Sequence, residues 1–295
     1  MTESTLSVND IRTVAVLGAG TMGNGIAHVF ARAGYAVILR DINQQLLDGA
    51  VQTISKNLDR EIKKGKLAEA EKPHVLARIQ VASDLASIAA ADFVVEAVPE
   101  RLDLKKKVLA EAGSVLRPEA ILATNTSSIS VTALAAASGR AERFIGMHFM
   151  NPVPVMTLVE VIRALQTSDA TLDATMRLCE KLGKRPVAVK DSPGFVSNRV
   201  LMPLINEAAY CVMEGVATAE SVDTVMKLGM SHPMGPLELA DLIGLDVCVD
   251  ILDVLYDDFR DTKFTACPLL RTLVKAGRLG KKSGQGFYKY ERTAS

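Results

Sequence analysis

Thr13-Val14-Ala15-Val16-Leu17-Gly18-Ala19-Gly20-Thr21-Met22-Gly23 is the stretch on which the reading of this chain turns. Five apolar or β-branched residues run straight into Gly-x-Gly-x-x-Gly, and a helix-like segment follows over 24–33. A second apolar run, Tyr35-Ala36-Val37-Ile38-Leu39, ends at Arg40-Asp41. Strand, glycine turn, helix, strand and acid, in that order, make a dinucleotide-binding βαβ unit; three glycines alone would say much less. In such a unit Gly18 permits the tight turn out of the strand. Gly20 lets the backbone approach a pyrophosphate, and Gly23 lets the helix pack closely on the sheet. The helix start at Thr21-Met22-Gly23 turns free N–H groups and the positive end of its dipole toward phosphate. A carboxylate at Asp41 accepts hydrogen bonds from a ribose and repels a 2′-phosphate. That argues for NAD over NADP, although Arg40 beside it weakens the argument. The competing reading is a tight βα turn that holds no ligand.

Outward from this unit, strands are expected over 78–81, 91–97, 120–124, 143–148, 158–162 and 185–189. Helices are expected over 44–66, 71–77 and 102–115. Strands alternating with helices predict an α/β fold: a Rossmann-type, mostly parallel sheet with helices on both faces. Asp191-Ser192-Pro193-Gly194 interrupts that alternation. Beyond it only helical periodicity remains, over 196–214, 219–228, 235–259 and 268–276. The apolar stretch 237–259 is rich for one helix, which suggests two helices broken at Gly244, with a part in a subunit interface. Two domains follow: a dinucleotide-binding domain over 1–190 with a helical arm over about 44–77, and an all-helical domain over 191–295.

Composition narrows the class. With 295 residues and 48% hydrophobic content, the chain can bury one large core or two smaller ones. The formal net charge is zero and no long basic run occurs, which speaks against nucleic acid as a partner. No apolar stretch is long enough to span a membrane, and the polar, acidic start is unlike a presequence. Cys179, Cys211, Cys248 and Cys267 are scattered without a C-x-x-C pair. They read as reduced thiols of a cytoplasmic protein, with no structural zinc site and no metal.

Ligands of an open parallel sheet sit beyond the carboxyl ends of its strands, so polar residues there are the candidates for chemistry. Ser127 follows a strand and His148 ends one. Glu160 lies within a strand between Val159 and Val161, so its carboxylate is expected to be buried and paired. A carboxylate beside an imidazole is a common way to orient a catalytic histidine. On residue pattern alone that reading stays open against two simpler ones, a hydrogen-bonded histidine at a strand end and a structural ion pair. His28, His74 and His232 are weaker candidates: one inside the first helix, one in a charged helix, one before Pro233 in a rigid turn. Cys179 has nothing nearby in sequence to activate it.

These residues carry a resemblance over nearly the whole chain. The glycine turn, Asn125-Thr126-Ser127-Ser128 and the run from Arg143 through His148 to Pro154 resemble the 3-hydroxyacyl-CoA dehydrogenase family, and within it the bacterial 3-hydroxybutyryl-CoA dehydrogenases. So do the run from Lys190 through Pro193-Gly194 to Arg199, His232-Pro233-Met234-Gly235-Pro236, and the run from Gly280 to Tyr288. The resemblance implies catalytic roles for Ser127, His148, Glu160 and Asn198. It implies cofactor contacts at Glu100, Lys105, Asn125, Asn151 and Lys282 beside those of the glycine turn and Asp41. Coenzyme A contacts fall on the helical arm, at Lys64 and at Asn57, where the family often has serine. The implied reaction interconverts (S)-3-hydroxyacyl-CoA and 3-ketoacyl-CoA with NAD, in a cleft between the domains of a homodimer joined through its helical domains. Two alternatives share the fingerprint: a free hydroxy-acid dehydrogenase of the lambda-crystallin or gulonate type, and a dinucleotide-binding protein without turnover. The basic arm argues against the first and the intact set of four residues against the second.

Overall fold

The computed structural model describes residues 8–291. It divides into two compact units, one ending at Ser192 and one beginning at Pro193. The first unit runs β1 (Thr13–Leu17), α1 (Thr21–Arg32), β2 (Ala36–Arg40), α2 (Gln44–Lys63), α3 (Glu71–Ala77), β3 (Ile79–Ala82), β4 (Phe93–Glu96) and α4 (Leu102–Val115). It continues through β5 (Ile121–Thr124), α5 (Val131–Ala137), β6 (Phe144–Phe149), β7 (Leu158–Arg163), α6 (Asp169–Lys181) and β8 (Arg185–Lys190). All eight strands form one sheet in the order β3-β2-β1-β4-β5-β6-β7-β8. Adjacent strands are parallel except β6 and β7. The order reverses between β1 and β4, which opens a crevice at their carboxyl ends.

The central strands are continuous apolar runs because both faces are covered. Val14, Val16, Phe93, Val95, Ile145, Met147, Val159 and Val161 pack in one cluster with Ile26 and Phe30 of α1 and Leu178 of α6. Strand alternation then turns Glu96, Thr124, Gly146, His148 and Glu160 to the opposite face. There α5 lies close: a Cβ at Gly146 would stand 3.0 Å from Val131 Cγ2 and 2.8 Å from Ile162 Cβ.

Two helices, α5 and α6, are absent from the sequence reading. The seven residues of α5 are too few to show a period. The Asp- and Thr-rich start of α6 disfavours helix by propensity, although Ser168 caps it by accepting the Thr171 N–H. The helix expected over 44–66 stops at Lys63. Gly65 takes φ +68°, and the N–H groups of Gly65 and Lys66 return to the carbonyls of Ile62 and Glu61, closing a Schellman turn.

The second unit holds α7 (Ser197–Met213), α8 (Ala219–Gly229), α9 (Pro236–Ile243), α10 (Leu245–Phe259) and α11 (Pro268–Lys275). Gly244, at φ +108°, breaks the long apolar stretch into α9 and α10. Met202, Ile205, Leu237, Cys248, Leu252 and Phe264 belong to its own core. Two buried carboxylates organise the lysine- and glycine-rich tail. Asp223 accepts the N–H groups of Leu237 and Glu238 and the Tyr288 hydroxyl. Asp241 accepts those of Phe287 and Tyr288 and the Tyr290 hydroxyl. Burial pushes the Asp241 carboxyl above its ordinary range, against these hydrogen bonds.

Candidate active site

The three glycines of the first turn answer different demands. Gly18 takes φ +100°, and a Cβ there would fall 2.6 Å from Ala97 O. A Cβ at Gly23 would fall 1.7 Å from Gly18 O. The closeness that requires Gly23 is therefore to the turn's own carbonyl, more than to the sheet. Gly20 is at an ordinary φ of −66°, and nothing lies within 4 Å of where its Cβ would be. Neither conformation nor packing within the protein calls for glycine at 20, and the open space leaves the backbone accessible to a pyrophosphate, with Thr21 and Met22 opening α1. Asp41 stands beside the turn: Oδ2 accepts the Ala19 N–H at 2.8 Å and Oδ1 the Asn43 N–H at 3.0 Å. Arg40 donates from Nε to Ser83 O. These residues fit a dinucleotide. Ile42, a large apolar side chain in the polar loop after β2, stands 81% exposed beside Asp41, and the sequence reading passes over it.

A charged network occupies the carboxyl ends of β4 and β5. Lys105 Nζ donates to Glu96 Oε1 at 2.8 Å and to Val98 O and Glu100 Oε2 at 3.2 Å. Glu96 and Lys105 are fully buried, and removing one partner of such a pair typically costs about 3–5 kcal/mol. Through Oε1, Glu100 accepts the Thr126 hydroxyl, the Ser127 N–H at 2.9 Å and the Ser128 N–H at 3.1 Å. Burial alone would raise the Glu100 carboxyl. The Lys105 ammonium and the bonds from Thr126 and Ser127 outweigh it, and hold the group below its ordinary range. Lys105, expected at the cofactor, thus gives all three protons to protein acceptors, and Glu100 grips the loop that carries Ser127.

His148 and Glu160 are opposite one another in the antiparallel β6–β7 register. Direct opposition puts both side chains on one face, and His148 Nδ1 lies 2.8 Å from Glu160 Oε2. Both are buried. An ionised carboxylate only accepts, so Nδ1 carries the proton and Nε2 becomes the basic nitrogen. Asn125 is buried after β5, and its Oδ1 accepts the Phe149 N–H at 3.0 Å, so it ties the end of the His148 strand to the Ser127 loop. Asn151 is exposed in the β6–β7 connection. Lys184 holds that connection from behind through the carbonyls of Val153 and Met156.

On α2, Asn57 accepts from Arg60 at 3.0 Å, while Lys63, Lys64 and Lys66 are exposed at its carboxyl end. In the second unit Asn198 is buried in the first turn of α7, and Lys282 pairs with Asp246 at the start of α10. His74 is exposed. His28 is buried on α1, its Nε2 3.1 Å from Glu61 Oε1, with neither ring nitrogen aligned for a hydrogen bond. Burial lowers its pKa, against the nearby Glu61 carboxylate. Burial also pushes the Cys179 thiol up to about 12. Among the described residues no cluster of His, Cys, Asp or Glu could hold a metal ion, and no helix is long and apolar enough to cross a membrane.

Known proteins resemble this chain in sequence and in fold. The family model for the 3-hydroxyacyl-CoA dehydrogenase NAD binding domain matches residues 13–192, and that for the 3-hydroxyacyl-CoA dehydrogenase C-terminal domain matches 194–290. A probable 3-hydroxybutyryl-CoA dehydrogenase of Deinococcus radiodurans is 55% identical over 93% of this chain and 99% of its own. The 3-hydroxybutyryl-CoA dehydrogenase of Bradyrhizobium diazoefficiens is 51% identical over 95% and 96%. The crystal structure of (S)-3-hydroxybutyryl-CoA dehydrogenase from Ralstonia eutropha superposes with a TM-score of 0.93 at 51% identity, over 96% of this chain and 100% of that one. With both of the family's domains matched in order and relatives aligned nearly end to end, the chain belongs to the 3-hydroxyacyl-CoA dehydrogenase family, whose NAD binding domain is its first unit.

Proposed function

We propose that this NAD-dependent oxidoreductase interconverts (S)-3-hydroxybutyryl-CoA and acetoacetyl-CoA, with His148 as general base and acid. The observation that carries the reading is the buried His148–Glu160 pair, 2.8 Å apart at the sheet's ligand end, in a chain of this family. In the oxidative direction His148 Nε2 takes the proton of the substrate's 3-hydroxyl. Glu160 keeps the ring in one tautomer and orientation, and its charge stabilises the imidazolium that forms. Ser127 holds the substrate oxygen, on a loop that Glu100 fixes. The same role for Asn198 follows from the family resemblance. Bound at the glycine turn, with Asp41 at its ribose, NAD supplies the acceptor for the hydride that leaves C3. Asn125 and Asn151 complete the cofactor contacts of the first unit on this reading, Lys105 acts through Glu100, and Lys282 is assigned to the cofactor by the family resemblance.

The short acyl chain is supported by the names of the relatives, and the CoA moiety by the exposed lysines around Lys64 at the end of α2, with Asn57 about two turns before Lys64. A homodimer through the helical unit is supported by exposed Val225, Leu228 and Met230 on and just after α8. Unbridged cysteines suit a cytoplasmic enzyme. The test is NADH consumption with acetoacetyl-CoA, run beside free acetoacetate and with NADPH in place of NADH. Turnover of the thioester with NADH is the expected result. Turnover of the free acid alone would move the function to the hydroxy-acid dehydrogenases, and equal use of NADPH would remove the role given to Asp41.

A further inference from the structure

Glu96 is 0% exposed, and the proposed reaction does not use it. Alternation puts it on the sheet face that also bears His148 and Glu160, opposite Thr124 in the β4–β5 register. Both of its oxygens are engaged. Oε1 accepts from Lys105 Nζ and from the Val98 N–H at 2.7 Å, and Oε2 accepts the Thr124 hydroxyl at 2.6 Å. Glu100 divides its carboxylate differently, with Oε2 toward Lys105 and Oε1 toward the Ser127 loop. We infer that Glu96 is a positioning residue: by anchoring the Lys105 ammonium within the sheet, it keeps Glu100 on the loop that presents Ser127.

A buried ammonium needs a counter-charge. With Glu96 present, Lys105 has one that is immobile, pinned by a backbone N–H and by a neighbouring strand. Without it, Glu100 is the remaining carboxylate within reach, and its side chain is 35% exposed. The Lys105–Glu100 pair then gains by shifting toward water, and each ångström it moves draws Oε1 away from the N–H groups of Ser127 and Ser128. A simple structural ion pair would stabilise the sheet without this local consequence.

The consequence for turnover rests on the role proposed for Ser127; the consequence for the loop does not. The experiment is therefore amide hydrogen exchange on the ligand-free chain, comparing wild type with Glu96→Gln. Exchange at Ser127 and Ser128 is expected to quicken about tenfold, the scale of one lost hydrogen bond, while Val16 and Val95 in the sheet keep their protection. Unchanged exchange at the loop overturns the inference, and so does an equal rise across the sheet. If Glu96→Gln does not fold, Glu96→Asp, which keeps the charge but withdraws it from Lys105 by one methylene, is read in the same way. Wild-type protection at the loop in that variant also overturns the inference. In the folded variant kcat with acetoacetyl-CoA is expected to drop alongside. A wild-type chain inactive on acetoacetyl-CoA would sink the proposed function while the exchange result stood, and an active enzyme with an unmoved loop would sink this inference alone.

Discussion

Alanine at Gly20 and alanine at Gly23 are the same chemical change three residues apart, yet they should fail in different ways. At Gly23 the new Cβ would lie 1.7 Å from the Gly18 carbonyl oxygen, a separation no real Cβ tolerates. Both groups belong to backbone, one in the turn and one in the first turn of α1, so no side chain can swing aside. Overpacking of this severity should cost about 3 kcal/mol or more. At roughly 2–4 °C per kcal/mol for a chain of this size, Tm should fall by about 6–12 °C. At Gly20 the Cβ meets nothing and the backbone is ordinary, so stability should change by no more than about 1 kcal/mol, the scale of an exchange at a helix cap. That Cβ would instead stand in the space left for the pyrophosphate. Holding the phosphates off the backbone in this way should weaken NADH binding by about 10–100-fold, or roughly 1.4–2.7 kcal/mol. Thermal melts and NADH fluorescence titrations on both variants separate the two effects. A Gly20→Ala chain that binds NADH like wild type would remove the ligand-based reason for glycine at 20. One that melts as low as Gly23→Ala would show that the open space is not open.

Three further outcomes concern the histidines and their partners. Replacing His148 by Gln should cut kcat by about 10²–10⁴-fold with NADH affinity nearly intact, and Glu160→Gln should cost less and shift the pH profile of kcat; a loss of NADH binding in the first or an unshifted profile in the second would refute the roles given. His28 has a pKa lowered by burial, so the unfolded chain takes up its proton more readily than the folded one. The stability it contributes is present above pH 6.5, its ordinary value, and is lost as pH falls below it, by about 1.4 kcal/mol per pH unit down to the folded-state value. Between about pH 7 and pH 5, the denaturant midpoint of wild type should fall relative to that of His28→Leu; parallel curves would mean that His28 does not titrate on unfolding.

What the chain declares locally was readable from its residues. The glycine turn and Asp41 fall within one βαβ unit, where spacing along the chain nearly dictates spacing in the fold. The break at Gly244 was visible for the same reason, since one residue free to take φ +108° ends one helix and starts the next. The sequence makes His148 and Glu160 candidates for a pair, but it does not say that they face one another. Both sit in apolar strands buried on two faces, so no alternation of polar and apolar residues marks which side each takes. Only the antiparallel register of β6 with β7 brings them to 2.8 Å. The Glu96–Lys105–Glu100 network is still less legible: it joins β4, α4 and the loop after β5, and nothing in the sequence says that its three charges meet. The resemblance pointed to Glu100 and Lys105 as cofactor contacts, and burial shows what holds each in place. Composition and local pattern determined the dinucleotide turn and the elements other than α5 and α6, because those depend on neighbours in the chain. The tertiary structure alone decided which charges meet, because a buried charge selects its partner by proximity across strands, where sequence distance carries no information.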